Sequence, residues 1–508
     1  MWPLGWRTTY SLVSPVPGAA AACSRQPEKA GAPHWSDMLS LAGFIIIVIV
    51  LVALLSGRVS PIVPLVIVPI AGALAAGFSP AQVAGYTNEG LHAVMSVATM
   101  FIFAVLFFSL MNDAGLFDPL VKKLVGITKG NVVWVCVATV LLGAVGHLDG
   151  VGATTFLILI PPLLPVYKRL RMDPYLLLLL GSTAAAVMNM VPWGGPVGRA
   201  AVVLTKDPTA LWRPLIPLQL IGLALLCVMA VILGMRERRR IARRQAAEAS
   251  GPDEAVGMPP SAGASQTAAP DHALPLPAQS ATQPAAAGHG STAPTQSEAE
   301  QNLRPRLLRL NALIAAATIG ILVWGLVPPE FVFMVAACVA LQVNYPGAKA
   351  QLARIKAHAN SALLMGVIIL AAGSFLGIMS GTGMMKAMAT DGVALLPGPV
   401  TRYLHIIIGV LGIPLELVLN TDAFFFALMP VSLEMVQAFG VDRLSAAYPM
   451  MIGKITGTFV CPLAPAVWLA LGLANLEMGK HLRYSFFWVW GFSLVLLVIA
   501  WLFGIYTI

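Results

Sequence analysis

The chain has 508 residues, of which 58% are hydrophobic and only 10% charged, with 31 Lys and Arg against 22 Asp and Glu for a formal net charge of +9. A water-soluble domain carries roughly 25% charged residues, so most of this chain has no water-facing surface to supply, and a mean hydropathy of +0.82 agrees. The positive balance is no nucleic-acid footprint: six arginines fall in one stretch, Arg236–Arg244, beside an apolar run, where basic residues mark the cytoplasmic end of a membrane helix.

In chain order, residues 1–37 come first. They are rich in Pro, Ala and Gly and lack the basic n-region and compact apolar core of a signal peptide. They read as a disordered extension, or as the product of too early a start codon. Apolar windows then run near 39–55, 60–78, 94–111, 131–146, 175–191 and 212–234. They resume near 308–326, 329–344, 360–380, 402–419, 445–473 and 485–506. About 20 apolar residues cross a ~30 Å hydrocarbon core as a helix, and unbroken runs such as Leu215–Gly234 exclude the alternating strands of a membrane β-barrel. Between the two sets lies a linker, residues 241–305, whose Ala, Pro, Ser, Gln and Gly cannot bury enough apolar surface to order themselves. The units are therefore a first transmembrane repeat, 38–240, and a second, 306–508. The five cysteines are scattered and show neither metal spacing nor a disulfide framework.

The halves repeat each other. Met111-Asn112-Asp113-Ala114-Gly115 closes the third window and Met379-Ser380-Gly381-Thr382-Gly383 the ninth. An acidic residue follows in each, Asp149 and Asp422, and then a Pro/Gly-broken helix, Asn189–Pro196 and Thr456–Pro465. The same number of residues separates Asp149 from Pro192 and Asp422 from Pro465. Charge fixes the relative direction. With Arg236–Arg244 and Arg304–Arg309 inside, Lys349, Arg354 and Lys356 also fall inside, as do Arg58 and Lys122, Lys123 and Lys129. The two repeats then cross in opposite senses, as in many secondary transporters. Lys168, Arg169 and Arg171 stand outside this count.

Non-helical backbone at membrane depth survives only against protein or a wet cavity. Two broken segments at matching places point to a binding site between them, with helix N-termini for anions and freed carbonyls for cations. Asn189, Gly194, Gly195 and Pro196 belong to the first break, and Thr456, Gly457, Thr458 and Pro462 to the second. Intramembrane ionisable residues are expensive and usually functional, which selects Asp149 and Asp422 as metal or proton carriers, with His147 and Glu416 as further proton candidates. Thr154, Thr155, Asn420 and Thr421 offer hydroxyl and amide groups, and Arg199 a guanidinium suited to a carboxylate. Each has a plainer reading as well: a helix cap for the aspartates, back-bonded hydroxyls for the threonines, an interfacial position for Arg199 and a satisfied helix-end ring for His147. No His-Glu-x-x-His and no nucleophile with its base is visible, so an enzyme is not expected.

At Leu148–Thr155, Leu164–Leu170 and Met188–Pro196, and again at Thr421–Phe424, Pro462–Pro465 and Gly472–His481, the sequence resembles the citrate–divalent metal:proton symporters, the CitMHS family within the ion transporter superfamily. It departs from that pattern at Val151, where members often carry a second acidic residue, and in its long linker. The resemblance implies an all-α polytopic protein of two inverted repeats, with about 11–12 transmembrane helices, two re-entrant hairpins and two broken helices. It also implies a homodimer with an elevator-like motion in a bacterial inner membrane. The implied activity is import of citrate complexed with Mg²⁺, Ca²⁺ or a similar ion by proton symport. No cofactor is expected beyond the cation within the substrate. A symporter of another small anion, such as a different di- or tricarboxylate, gluconate or arsenite, is the neighbouring possibility.

Overall fold

The computed structural model describes residues 33–56, 58–128, 130–249 and 305–507; the reading of residues 1–32 and that of the linker from 250 to 304 lie outside them. The described residues are helical and contain no strand. The first half comprises α1 (Pro33–Ser56), α2 (Ile62–Ala75), α3 (Pro80–Asp113), α4 (Asp118–Ile127), α5 (Val132–Gly146), α6 (Gly152–Arg169), α7 (Pro174–Met188), α8 (Gly195–Leu204), α9 (Pro208–Trp212) and α10 (Leu215–Ala249). The second comprises α11 (Leu308–Trp324), α12 (Pro329–Asn344), α13 (Ala348–Gly381), α14 (Met384–Leu395), α15 (Gly398–Arg402), α16 (Leu404–Val410), α17 (Gly412–Glu416), α18 (Thr421–Ala423), a π-helical turn Phe424–Leu428, α19 (Met429–Gln437), α20 (Arg443–Thr456), α21 (Pro465–Ala474) and α22 (Met478–Leu502).

Two boundaries differ from the sequence reading. Helix α1 starts at Pro33, upstream of Met38, and α10 continues through the arginines to Ala249. The second follows from composition: Ala, Arg and Glu are strong helix formers, and Glu237 pairs with Arg240 one turn on. Among the described residues, four helices are long and apolar enough by themselves to span a bilayer: α3, α10 over Leu215–Ala246, α13 and α22. The remaining apolar helices are shorter and pair into hairpins or broken rods. Large side chains such as Leu41, Leu220, Trp324 and Phe487 are more than half exposed, as expected of a surface that meets acyl chains.

The repeat is visible residue by residue. Helices α3 and α13 have 34 residues each, and each is followed by a left-handed glycine, Gly115 and Gly383. Asp173 and Asp442 cap α7 and α20 with their carboxylates, and each follows a positive-φ residue, Arg171 and Gly440. Helices α8 and α21 have 10 residues each and close on Thr205 and Asn475, both left-handed.

The direction of the repeats follows from one contact. Helices α3 and α13 lie side by side and antiparallel: Tyr86 meets Gly377 and Gly381, Gly90 meets Gly373, and Ile102 meets Gly366. Farther along, Asp113 binds His358 Nε2 at 2.7 Å and Arg354 at 3.5 Å. Equivalent helices running in opposite senses make the repeats inverted. The backbones touch because glycines line the seam; a Cβ on Gly90 would stand 2.1 Å from the Gly373 carbonyl oxygen. Small residues at such crossings let membrane helices pack where lipid supplies no hydrophobic drive.

Helices α5 and α6 form the first hairpin, with Gly146 against Thr155 near its tip and Thr139 hydrogen-bonded to the Tyr167 hydroxyl at 2.9 Å farther down. The arms return the chain to the side it left, which explains the basic residues that broke the alternation. Arg171 lies with the linker-side arginines: its carbonyl accepts from Arg240 Nη2 at 3.4 Å, and the Asp173 amide donates to Glu237 at 2.7 Å. The second hairpin runs from α16 and α17 into α18 and α19.

Candidate functional site

Each hairpin tip meets the broken helices of both halves. In the first tip, Trp193 donates its indole N–H to the Leu148 carbonyl at 2.7 Å, and Gly150 faces Trp193 and Gly194 of the first break. On its other flank Gly152, His147 and Phe156 pack on Phe459 of the second break, with the His147 and Phe459 rings 5.1 Å apart. In the second tip, Asp422 binds Arg199 on α8 of the first half. On the other flank the Glu416 carbonyl accepts from the Cys461 thiol at 2.8 Å. The site is thus shared between repeats.

Asp149 is 4% exposed in the turn between α5 and α6, where Oδ1 accepts from the Val151 amide at 2.9 Å and the Thr154 side chain lies beside it. Among the described residues no cation pairs with it. His147 is fully buried; its Nδ1 shares a 2.7 Å hydrogen bond with Thr155, and the Asn189 side chain is its neighbour. Thr155 also donates within reach of the Val151 and Gly146 carbonyls. Its hydroxyl therefore ties the tip together.

The first break runs from Asn189, which ends α7, to Gly194, which starts α8. Packing dictates its glycines. A Cβ on Gly194 would stand 2.5 Å from the Asn189 carbonyl, and one on Gly195 would stand 2.7 Å from Arg199 Nη1. The guanidinium thus folds back over the N-terminus of α8, where Pro196 opens the first turn and unpaired amides favour an anion. Arg199 Nε reaches Asp422 Oδ1 at 2.6 Å, with both side chains largely buried.

The second tip is built differently. Asn420 caps α18 by accepting from the Ala423 amide at 2.8 Å and donates to the Leu54 carbonyl of α1 at 3.2 Å. Thr421 is the first residue of α18, partly exposed, and Asp422 follows it. Asp149 and Asp422 are therefore not counterparts. One lies in a turn and the other in the first turn of a helix, so the equal spacing to Pro192 and Pro465 is a coincidence of register. Thr456 and Thr458 spend their hydroxyl hydrogens on the Ile452 and Ile455 carbonyls. Gly457 packs on the Glu416 side chain, and the Pro462 carbonyl accepts from Trp468.

Sequence reasoning missed Lys454. It is 1% exposed on α20, pairs with Glu416 of the hairpin tip and donates to the Leu419 carbonyl at 2.6 Å. Glu416, selected as a free proton candidate, is instead half of this buried ion pair. The signal was present as the one charged residue in the 445–473 window.

The chain is similar along most of its length to known transporters. A citrate transporter of Bacillus subtilis is 33% identical over 92% of this chain and 99% of its own length. A Mg²⁺/citrate complex secondary transporter of the same organism is 32% identical over 93% of this chain and all of its own length. Among solved structures, the Alcanivorax borkumensis YdaH transporter, described as having an unusual topology, aligns at 15% identity and TM-score 0.49 over 93% of this chain and 99% of its own. A likeness of that size adds nothing to the assignment. The family model for citrate transporters matches residues 39–453, and this multi-pass membrane protein belongs to that family, CitMHS, a family of transporters rather than of enzymes.

Proposed function

We propose that the protein imports citrate as its complex with a divalent cation of the Mg²⁺ or Ca²⁺ type, by proton symport across a bacterial cytoplasmic membrane, as a homodimer whose hairpin-bearing units move through the bilayer. The observation that carries this reading is the Arg199–Asp422 pair between the repeats. A guanidinium that sits over a helix N-terminus and holds one carboxylate can exchange it for a carboxylate of citrate at little cost in geometry. Asp149 supports the rest. It is buried and lies beside both the first break and the packed His147–Thr155 pair, with no cationic partner among the described residues. It is the acid free to take a proton or an open coordination position on the metal. Asn189, Gly194 and Thr154 lie about the first tip, Gly195 faces Arg199, and Asn420 and Thr421 belong to the second tip.

The cargo suits the membrane potential. Citrate carries about −3 and its divalent complex about −1, and each elementary charge moved against ~100 mV costs about 2.3 kcal/mol. Chelation removes most of that cost, and symported protons reverse the sign. The test is uptake of labelled citrate into proteoliposomes under an imposed pH gradient, with Mg²⁺, Ca²⁺, Zn²⁺ and no divalent cation. Uptake that requires a divalent ion and collapses with the gradient is expected. Equal uptake of free citrate, or uptake indifferent to the gradient, refutes the corresponding half of the proposal.

A further inference from the structure

The two hairpin tips also differ in the charge of the helix beside them, which the repeat does not explain. The first is uncharged on its helical side: α7 carries no charged residue over its whole length. The second holds Lys454 in the last turn of α20, where its ammonium is enclosed. Its surroundings are the Glu416 carboxylate, the Leu419 carbonyl oxygen of the hairpin tip at 2.6 Å and the face of Phe424 at 5.3 Å. It also sits at the C-terminal end of a broken helix, the negative end of the dipole. Carboxylate, freed carbonyl, aromatic face and helix C-terminus are the groups that hold a monovalent cation in a transporter with broken helices.

The placement is enforced by packing. Helix α20 approaches the first arm of the hairpin so closely that a Cβ on Gly412 would stand 2.3 Å from the Gly453 carbonyl carbon, and one on Gly453 would stand 2.0 Å from the Gly409 carbonyl oxygen. Lys454 is therefore delivered to the tip by the glycine beside it. The Glu416 carbonyl is occupied in turn by Cys461, so the tip, the break and the lysine form one connected group.

We propose that the Lys454 ammonium is a tethered substitute for a co-transported alkali cation, occupying a cation site formed by Glu416, the Leu419 carbonyl and Phe424. It holds the second hairpin against its broken helix without an ion from solution. The inference rests on the transport reading of the same site and deepens it: coupling needs no Na⁺ or K⁺, because the second half-site carries its own cation.

The experiment uses the full chain in proteoliposomes, with citrate and Mg²⁺ outside and choline, Na⁺, K⁺ or Li⁺ as the monovalent ion. Wild-type uptake is expected to be equal in all four, and a wild-type requirement for Na⁺ or K⁺ overturns the proposal. Lys454→Ala is expected to lose at least about tenfold in choline, as when a buried pair loses one member, and to recover saturably with Na⁺, K⁺ or Li⁺. Loss without recovery overturns it. Should Lys454→Ala fail to accumulate, the uncharged Glu416→Gln/Lys454→Met variant is assayed instead. Its uptake is expected to be lost in choline, and uptake near wild type would show the pair to be a mere brace. Absence of wild-type uptake in every buffer would strike the transport reading, whereas failure of recovery in Lys454→Ala strikes only the tethered cation.

Discussion

Replacing Asp422 by Asn removes a charge and almost no volume, and it isolates what the pair with Arg199 is for. The guanidinium and carboxylate meet at 2.6 Å with side-chain exposures of 9% and 12%. Two unit charges centred about 4 Å apart attract by about 4 kcal/mol at an effective dielectric of ~20. Removing one member of such a pair costs about 3–5 kcal/mol, because the other is left buried and uncompensated. That is about two to four orders of magnitude in an equilibrium constant. Asp422→Asn should therefore lower thermal stability in detergent and abolish citrate uptake at equal membrane levels. The double variant Arg199→Met/Asp422→Asn separates brace from binding. Neutralising both partners should restore stability, yet uptake should stay absent if Arg199 receives a citrate carboxylate. A melting temperature in detergent left unchanged by Asp422→Asn would refute the reasoning, since a loss of several kcal/mol from the folded state must lower it.

Asp149→Asn keeps the acceptor for the Val151 amide, so the protein should insert and melt like wild type while uptake falls at least about tenfold; uptake with unchanged metal dependence would count against it. Gly90→Ala places a methyl group against the Gly373 carbonyl and should cost about 1–3 kcal/mol, read as a lowered melting temperature in detergent. Trp193→Phe loses the hydrogen bond to Leu148, worth about 1 kcal/mol, and should make the first tip more accessible to limited proteolysis without loss of insertion.

The sequence displayed what depends on local chemistry. Helix-length apolar runs, Pro and Gly at the breaks and acids in apolar surroundings all read directly, because the bilayer penalises each exception. Antiparallel repeats were legible from the arginines. Pairings between distant segments were not. Arg199 and Asp422 are 223 positions apart, and nothing in either neighbourhood names the other. Lys454 was lost to averaging, since a single cation hardly lowers the mean of a long apolar window. The equal spacing that matched Asp149 to Asp422 misled because a turn residue and a first-turn helical residue can lie equally far from a later proline. The stray basic cluster at Lys168–Arg171 became regular once the hairpin returned the chain to its starting side.

The glycine seam between α3 and α13 has a bearing on ancestry. Two equivalent helices that touch backbone to backbone in opposite senses have the geometry of an interface between two copies of one shorter chain, inserted into the bilayer both ways up. A half-length ancestor of that kind would have carried too little charge bias to choose an orientation. On that reading, fusion through the linker would have frozen one copy in each sense, with the arginines at Arg236–Arg244 and Arg304–Arg309 setting the choice. Once orientation was fixed, each half could diverge, and the lysine on α20 is one place where their chemistry parted.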